Sequence, residues 1–102
     1  MPDRDVRGEC FAWAWKTQRK RGDVLVHGTV NDPWSAEAYQ HAWLERDDRV
    51  YDWQSVVVGL GPGPKGWAKD RFYETYRPKN LVTYDYYEAR AKAARFGHYG
   101  PW

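Results

Sequence analysis

A chain of 102 residues with 16 Lys and Arg against 14 Asp and Glu carries a net charge of only +2. The length predicts one domain over residues 1–102, and the near balance of charges argues against nucleic acid as a partner. The single cysteine excludes an internal disulfide, and the lack of a long apolar run predicts a cytoplasmic protein without a signal peptide or membrane span.

The first predicted element is a helix over residues 10–21. The stretch contains neither Pro nor Gly, ends in a basic run and is followed by Gly22, as is usual at a helix C-terminus. Cys10 would open this helix and share one face with Ala14 and Thr17. The small side chains of that face would let the helix lie close against a sheet.

A strand and a hairpin follow the helix. Residues 24–30 are rich in β-branched side chains and predict a strand, and residues 31–35 predict a turn. Residues 36–45 alternate between two faces as a second strand does. Residues 46–49 then predict a tight turn, and residues 50–54 predict the returning strand.

The register of this hairpin determines which side chains share a face. A loop of two or four residues places Trp43 opposite Asp52 and His41 opposite Gln54. His41 and Asp52 then become diagonal neighbours about 7–8 Å apart at the backbone, within reach of a side-chain hydrogen bond. A slip of one residue would move Asp52 to the other face of the sheet.

The second half of the chain alternates between irregular and helical segments. The predictions are a further strand or a continuation of the previous one over 55–60, a Gly- and Pro-rich break over 59–66, a short helix over 67–76, a connector or short strand over 78–83, a helix over 84–95 and a non-helical tail over 98–102. The aromatic rings of the tail are expected to pack on the body of the protein. The predicted class is therefore α+β, with a cysteine-bearing N-terminal helix on a small antiparallel sheet and a helix near the C-terminus.

Cys10, His41 and Asp52 are the residues that imply chemistry. A helix N-terminus lowers the pKa of a thiol, a histidine takes its proton, and a carboxylate orients the histidine. The competing interpretation is a buried cysteine that serves only as a small apolar side chain. His27 is interpreted as a hydrogen-bonded core or edge histidine. No His and Cys spacing matches a zinc site, so neither a metal nor another cofactor is predicted.

This order of residues resembles the papain-like and transglutaminase-like cysteine enzymes. The resemblance covers residues 8–54 and rests on Gly8-Glu9-Cys10, His41-Ala42-Trp43-Leu44-Glu45 and Val50-Tyr51-Asp52. It implies a minimal papain-like fold in which Cys10 is the nucleophile, His41 the general base and Asp52 the residue that orients the imidazole. Many papain-like enzymes place a Gln before the cysteine, and this chain does not. The expected oxyanion donors are therefore the Cys10 backbone N–H with either Gln54 or the indole of Trp43.

The predicted function is that of a cysteine hydrolase or acyltransferase acting through a thioester on a peptide, protein or other amide. The sequence leaves open whether water or an amine resolves the thioester. The alternative is a small non-enzymatic interaction or inhibitor protein, of viral or cellular origin, that retains the fold while these residues serve packing. A third and weaker interpretation is nucleic-acid binding through the basic residues 16–21 and exposed rings.

Overall fold

The structure, a computed structural model, describes residues 3–31 and 37–102, with side chains from residue 8 onward. In chain order its elements are α1 (Asp3–Thr17), β1 (Val24–Val30), β2 (Tyr39–Arg46), β3 (Arg49–Tyr51), a π-helical turn (Gln54–Val58), β4 (Trp67–Ala68), α2 (Lys69–Tyr76), β5 (Lys79–Tyr84) and α3 (Tyr86–Phe96). The predicted α+β class with a small antiparallel sheet is confirmed.

The sheet has five strands in the order β4-β3-β2-β1-β5, and every neighbouring pair is antiparallel. β1, whose predicted bounds are confirmed, pairs with β2 from Val24 opposite Glu45 to Val30 opposite Tyr39. β5 lies on the other side of β1 and carries an irregularity in its register. β1 therefore lies inside the sheet between β2 and β5, consistent with its nearly continuous run of buried side chains.

Helices cover both faces of this sheet and divide the core into two clusters. On one face, α1 and α3 contribute to a cluster formed by Phe11, Ala14, Leu25, Ala42, Leu44, Tyr84 and Ala89. On the other face, α2 contributes to a cluster formed by Val26, Val30, Trp43, Val50, Phe72 and Tyr76. Because successive strand residues point to opposite faces, Ala42 packs toward α1 while its neighbour Trp43 packs toward α2.

The hairpin of β2 and β3 has the predicted register, with Leu44 opposite Tyr51. The loop is the two-residue turn between Arg46 and Arg49. The predicted strands over 50–54 and 55–60 are wrong beyond Tyr51, where the chain leaves the sheet and enters the π-helical turn. The physical reason is local. The Asp52 carboxylate accepts the backbone N–H of Ser55 at 3.0 Å, and such a side-chain bond competes with a strand ladder.

The predicted bounds of the first helix, 10–21, are wrong at both ends, since α1 spans Asp3–Thr17. It stops early because the amide of Arg19 bonds to a side chain instead of to a helical carbonyl. The Gln18 side chain donates to the Tyr84 carbonyl at 3.1 Å, and the Arg19 amide donates to Asp23 at 2.8 Å.

The elements after residue 66 agree more closely with their predicted types and bounds. The predicted helix over 67–76 begins with the two residues of β4, and the segment predicted as connector or strand forms β5. Asp85 and Glu88 form a capping box at the start of α3, and Gly97 ends it in a left-handed conformation. Most of the turn predicted over 31–35 lies outside the described residues, as does the predicted start of the second strand at 36. Among the described residues, no helix is long and apolar enough to cross a bilayer.

Candidate active site

His41 and Asp52 form a fully buried hydrogen-bonded pair where β3 leaves β2. The His41 Nε2 and Asp52 Oδ2 atoms are 2.9 Å apart, and both side chains are 0% exposed. A carboxylate only accepts hydrogen bonds, so Nε2–H of His41 is the donor. The second oxygen, Oδ1, accepts the Ser55 amide. Both oxygens of Asp52 are therefore held, and the hydrogen bond expected from the hairpin register is present.

The other ring nitrogen of His41, Nδ1, is buried and makes no hydrogen bond to the described residues. With the proton on Nε2, Nδ1 carries a lone pair in the protein interior. An unsatisfied buried polar group costs about 1–3 kcal/mol, and such groups call for a functional or structural explanation. The lone pair on Nδ1 can accept a hydrogen bond or take a proton from a nearby donor.

Aromatic rings fix the orientation of this imidazole. The Tyr76 ring of α2 stacks on it with centroids 6.2 Å apart, Trp43 lies at 5.8 Å, and Tyr39 meets it edge-on at 5.9 Å. The ring of His41 therefore lies on the α2 face of the sheet, in surroundings that exclude bulk water.

Cys10 lies within α1 and is only 1% exposed. The prediction that Cys10 opens the helix is wrong, because α1 begins at Asp3. Its amide N–H lies inside the helix and not at its N-terminus, so it takes no part in the N-terminal dipole. Its predicted role as an oxyanion donor stays a prediction. Burial, followed by the negative charges of Asp52 and Glu9, raises the pKa of the Cys10 thiol above its ordinary value. The expected activation of a thiolate is reversed, and the thiol is held protonated.

The structure brings His41 and Asp52 together and holds Cys10 near them without a thiol–imidazole hydrogen bond. α1 packs against Ala42, whose side chain points away from the face of its neighbour His41. Asp52 links the two groups, because it hydrogen-bonds to His41 and its charge acts on the thiol.

The two predicted oxyanion donors have different surroundings. Trp43 is fully buried beneath α2, and its indole N–H donates to Glu45 at 3.0 Å. Burial alone would raise the pKa of Glu45. Hydrogen bonds from Tyr73, Trp43 and Lys69 outweigh burial, so the pKa of Glu45 is lowered. Trp43 takes part in this network, and its predicted oxyanion role stays a prediction. Gln54 is half-buried at the start of the π-helical turn, and its predicted role stays a prediction.

Ser55 is a site residue that the sequence analysis missed. Its amide donates to Asp52, while its buried hydroxyl donates to the Gly63 carbonyl at 2.8 Å and accepts the Gly63 amide at 2.9 Å. These bonds tie the Gly- and Pro-rich segment to the carboxylate that orients His41. The available signal was an Asp followed three residues later by a Ser, a spacing that favours a local turn.

Comparison of the chain with protein-family models, curated proteins and solved structures finds no match. The resemblance to papain-like enzymes therefore stays a prediction. Within the described residues, no group of three or more His, Cys, Asp or Glu side chains is arranged to hold a metal ion.

Proposed function

We propose that this protein is a cysteine-dependent acyl-transfer enzyme in which Cys10 is the nucleophile, His41 the general base and Asp52 the positioning residue. The observation that carries the proposal is the buried, unpartnered Nδ1 of His41, whose imidazole Asp52 holds through Nε2. A base oriented in this way is suited to take a proton from a nucleophile in a dry site. The only thiol of the chain lies within the electrostatic field of the same carboxylate.

The proposal includes the finer features that the resemblance implies. The fold is a minimal papain-like arrangement, and the substrate is a peptide, protein or other amide. The setting is the cytoplasm, where a lone thiol stays reduced.

The raised pKa of the thiol favours general-base catalysis over a standing thiolate–imidazolium pair. The Cys10 proton moves to Nδ1 of His41 while Sγ attacks the carbonyl carbon, and Asp52 stabilises the imidazolium that forms. The bond to the leaving group then breaks, the proton passes from Nδ1 to that group, and a thioester remains on Cys10. Water or an amine attacks the thioester, His41 takes its proton, and the thiol is released.

This mechanism requires the thiol to become accessible and to reach Nδ1. β3 pairs with β2 only over Leu44–Arg46, so the part of β2 that carries His41 has no strand ladder on the Asp52 side. To reach Nδ1, the thiol would have to pass from the α1 face of the sheet around this open edge of β2.

The experiment that tests the proposal is alkylation of the folded chain by iodoacetamide, since one cysteine makes the reaction specific to Cys10. If His41 is the base, His41→Gln should slow labelling at neutral pH by at least about tenfold. The matched control is His98→Gln, which replaces an exposed histidine of the tail and should leave the rate unchanged. Small, non-denaturing additions of urea should not accelerate labelling of the wild-type chain.

The burial of Cys10 favours a second candidate function, a non-enzymatic interaction protein in which the thiol is a core side chain. In that case labelling occurs only when the chain unfolds, so its rate rises with urea in step with the unfolded population. His41→Gln would then accelerate labelling, because it breaks a buried pair and destabilises the fold. The two functions therefore predict opposite signs for one substitution.

A further inference from the structure

Charge is unevenly distributed along this chain. Residues 10–22 and 86–102, which form the second half of α1, the segment after it, α3 and the tail, hold seven of the 16 Lys and Arg residues but one of the 14 Asp and Glu residues. The rest of the chain is acidic, with nine basic and 13 acidic residues. The near balance of the total charge therefore describes neither part, and a partner that contacts one part meets its local charge.

The structure places the two basic segments side by side. The indole N–H of Trp15 in α1 donates to the Ala89 carbonyl of α3 at 2.9 Å, and the guanidinium of Arg90 donates to the Trp15 carbonyl at 2.8 Å. The same guanidinium stacks on the rings of Trp15 and Tyr86, at 3.9 and 4.0 Å from their centroids. These contacts hold the first turns of α3 against the end of α1, so the basic residues of both segments belong to one surface.

The cations of this surface that are exposed or half-buried are called the basic face. They are Lys16, Arg19, Lys20, Arg21, Lys92 and Arg95. None of them forms an ion pair with a described residue. The one acidic side chain of the two segments, Glu88, accepts the Asp85 amide in the capping box at the start of α3. The basic face therefore has charge that the described part of the protein does not neutralise.

Exposed aromatic rings lie among these cations. The Lys20 ammonium is 5.6 Å from the centroid of the Tyr87 ring, and Tyr87 is 61% exposed. Phe96 is 46% exposed, and Lys92 and Arg95 lie 5.6 and 5.3 Å from its centroid. Along the axis of α3 the two aromatic residues are about 14 Å apart. Each ring thus has a cation beside it, and a nucleotide needs the same pair of groups, one for its base and one for its phosphate.

We infer that the basic face binds a single strand of nucleic acid. The phosphates contact the free cations, and two bases stack on the rings of Tyr87 and Phe96. The bases of a duplex are stacked on each other, so a duplex contacts the cations and leaves the rings unused. Lys and Arg side chains only donate hydrogen bonds and the rings contact bases, so ribose and deoxyribose bind alike. This binding needs neither Cys10 nor His41, so it is independent of the proposed reaction.

The test is fluorescence anisotropy of a labelled oligothymidylate of about 12 nucleotides, titrated with the full chain at about 50 mM salt. Saturable binding is expected, and its affinity should fall with salt with a log–log slope of about −0.7 for each phosphate contact. An oligouridylate of the same length should bind within about threefold. A DNA duplex of the same length should bind more weakly, because it offers no unstacked base to the rings.

Two double substitutions separate the basic face from the total charge. Lys20→Gln with Arg95→Gln removes one cation beside each ring, so the salt slope should become shallower by about 1.4. Lys65→Gln with Arg71→Gln removes the same charge from two exposed positions outside the basic face and should leave the slope unchanged. All four side chains are exposed, so both variants should fold.

Substitutions of an exposed ring test stacking apart from charge. Tyr87→Ala should weaken binding at least about fivefold, the loss expected when one stacked base loses its ring. Tyr87→Trp keeps a flat ring and should retain the affinity. Leu60 is 59% exposed in the Gly- and Pro-rich loop, so Leu60→Ala is the control for removal of exposed apolar surface and should have no effect.

Several results would overturn the assignment. They are no binding up to about 100 μM protein at about 50 mM salt, equal losses in the two double variants, an unchanged affinity of Tyr87→Ala, tighter binding of the duplex, and a difference above about tenfold between the two single strands. Tighter binding to vesicles rich in phosphatidylserine than to the oligothymidylate would also overturn it, because the basic face would then be a membrane-binding surface.

Discussion

Replacing His27 by phenylalanine should flatten the acid dependence of the free energy of unfolding. Burial lowers the pKa of His27 from 6.5 to about 4. Between these two pH values the unfolded chain binds a proton at His27 and the folded chain does not. Because the pKa is lower in the folded state, the contribution of neutral His27 to the free energy of unfolding is complete above pH 6.5. This contribution is lost as the pH falls toward 4. At about 1.4 kcal/mol per pKa unit, the loss from this one residue is about 3 kcal/mol.

The substitution isolates this contribution from that of the carboxylates. Phenylalanine keeps a ring against Phe11, Tyr84 and Trp102. It removes the buried Nε2 of His27, which has no hydrogen-bond partner among the described residues, so His27→Phe should be at least as stable as wild type near neutral pH. Near pH 4 it should retain about 3 kcal/mol that wild type has lost.

The assay is urea unfolding followed by Trp fluorescence at intervals between about pH 7 and pH 4. His98→Gln, at an exposed position, is the control and should follow wild type. The argument that burial keeps His27 neutral would be refuted if the free energy of unfolding changed with pH in the same way for wild type and His27→Phe. A difference in this free energy below about 1 kcal/mol near pH 4 would also refute it.

The candidate triad and the tail yield three further tests. Asp52→Asn should slow Cys10 alkylation at neutral pH. The substitution removes a charge that raises the thiol pKa, but it also removes the carboxylate that orients the base, and the second effect should be the larger. Faster labelling would mean that Asp52 acts only through its charge on the thiol and does not position a base. Raising the pH above the ordinary thiol pKa of 9.0 should lower the unfolding free energy by up to about 1.4 kcal/mol per pH unit, since the folded-state pKa is raised. Urea unfolding should show that Cys10→Ala lacks this component, whereas an identical slope would argue that the thiol titrates normally. Trp102→Ala should cost about 1–2 kcal/mol, because its ring contacts His27 and Tyr84; an unchanged urea midpoint would mean that the ring contributes no packing.

The hairpin was predictable because it depends on local rules. The alternation along β2 and a two-residue turn determine the register, and the register determines that His41 and Asp52 can meet. The hydrogen bond between them then follows from geometry alone. The capping box of α3 and the left-handed glycine after it are equally local, so that helix was predicted to within two residues.

The state of Cys10 was not predictable, because it depends on tertiary packing. Sequence spacing indicates that a helix lies on the sheet, but it does not indicate which face the helix covers. In the structure α1 covers the face of Ala42, opposite the ring of His41, so the thiol is buried without an imidazole partner. The π-helical turn escaped prediction for another reason, since residues 55–58 have the composition of a strand and one side-chain bond from Asp52 overrides it.

The double hydrogen bond between Ser55 and Gly63 has a consequence for how this chain can evolve. It divides the Gly- and Pro-rich loop into two parts with different tolerance to insertions. Residues added before Gly63 would bulge into solvent and leave the carboxylate of Asp52 in place. Residues added after it would press on Gly66, where even a Cβ atom would lie 2.5 Å from the Val50 carbonyl. Length variation among descendants of this sequence should therefore accumulate on the N-terminal side of Gly63.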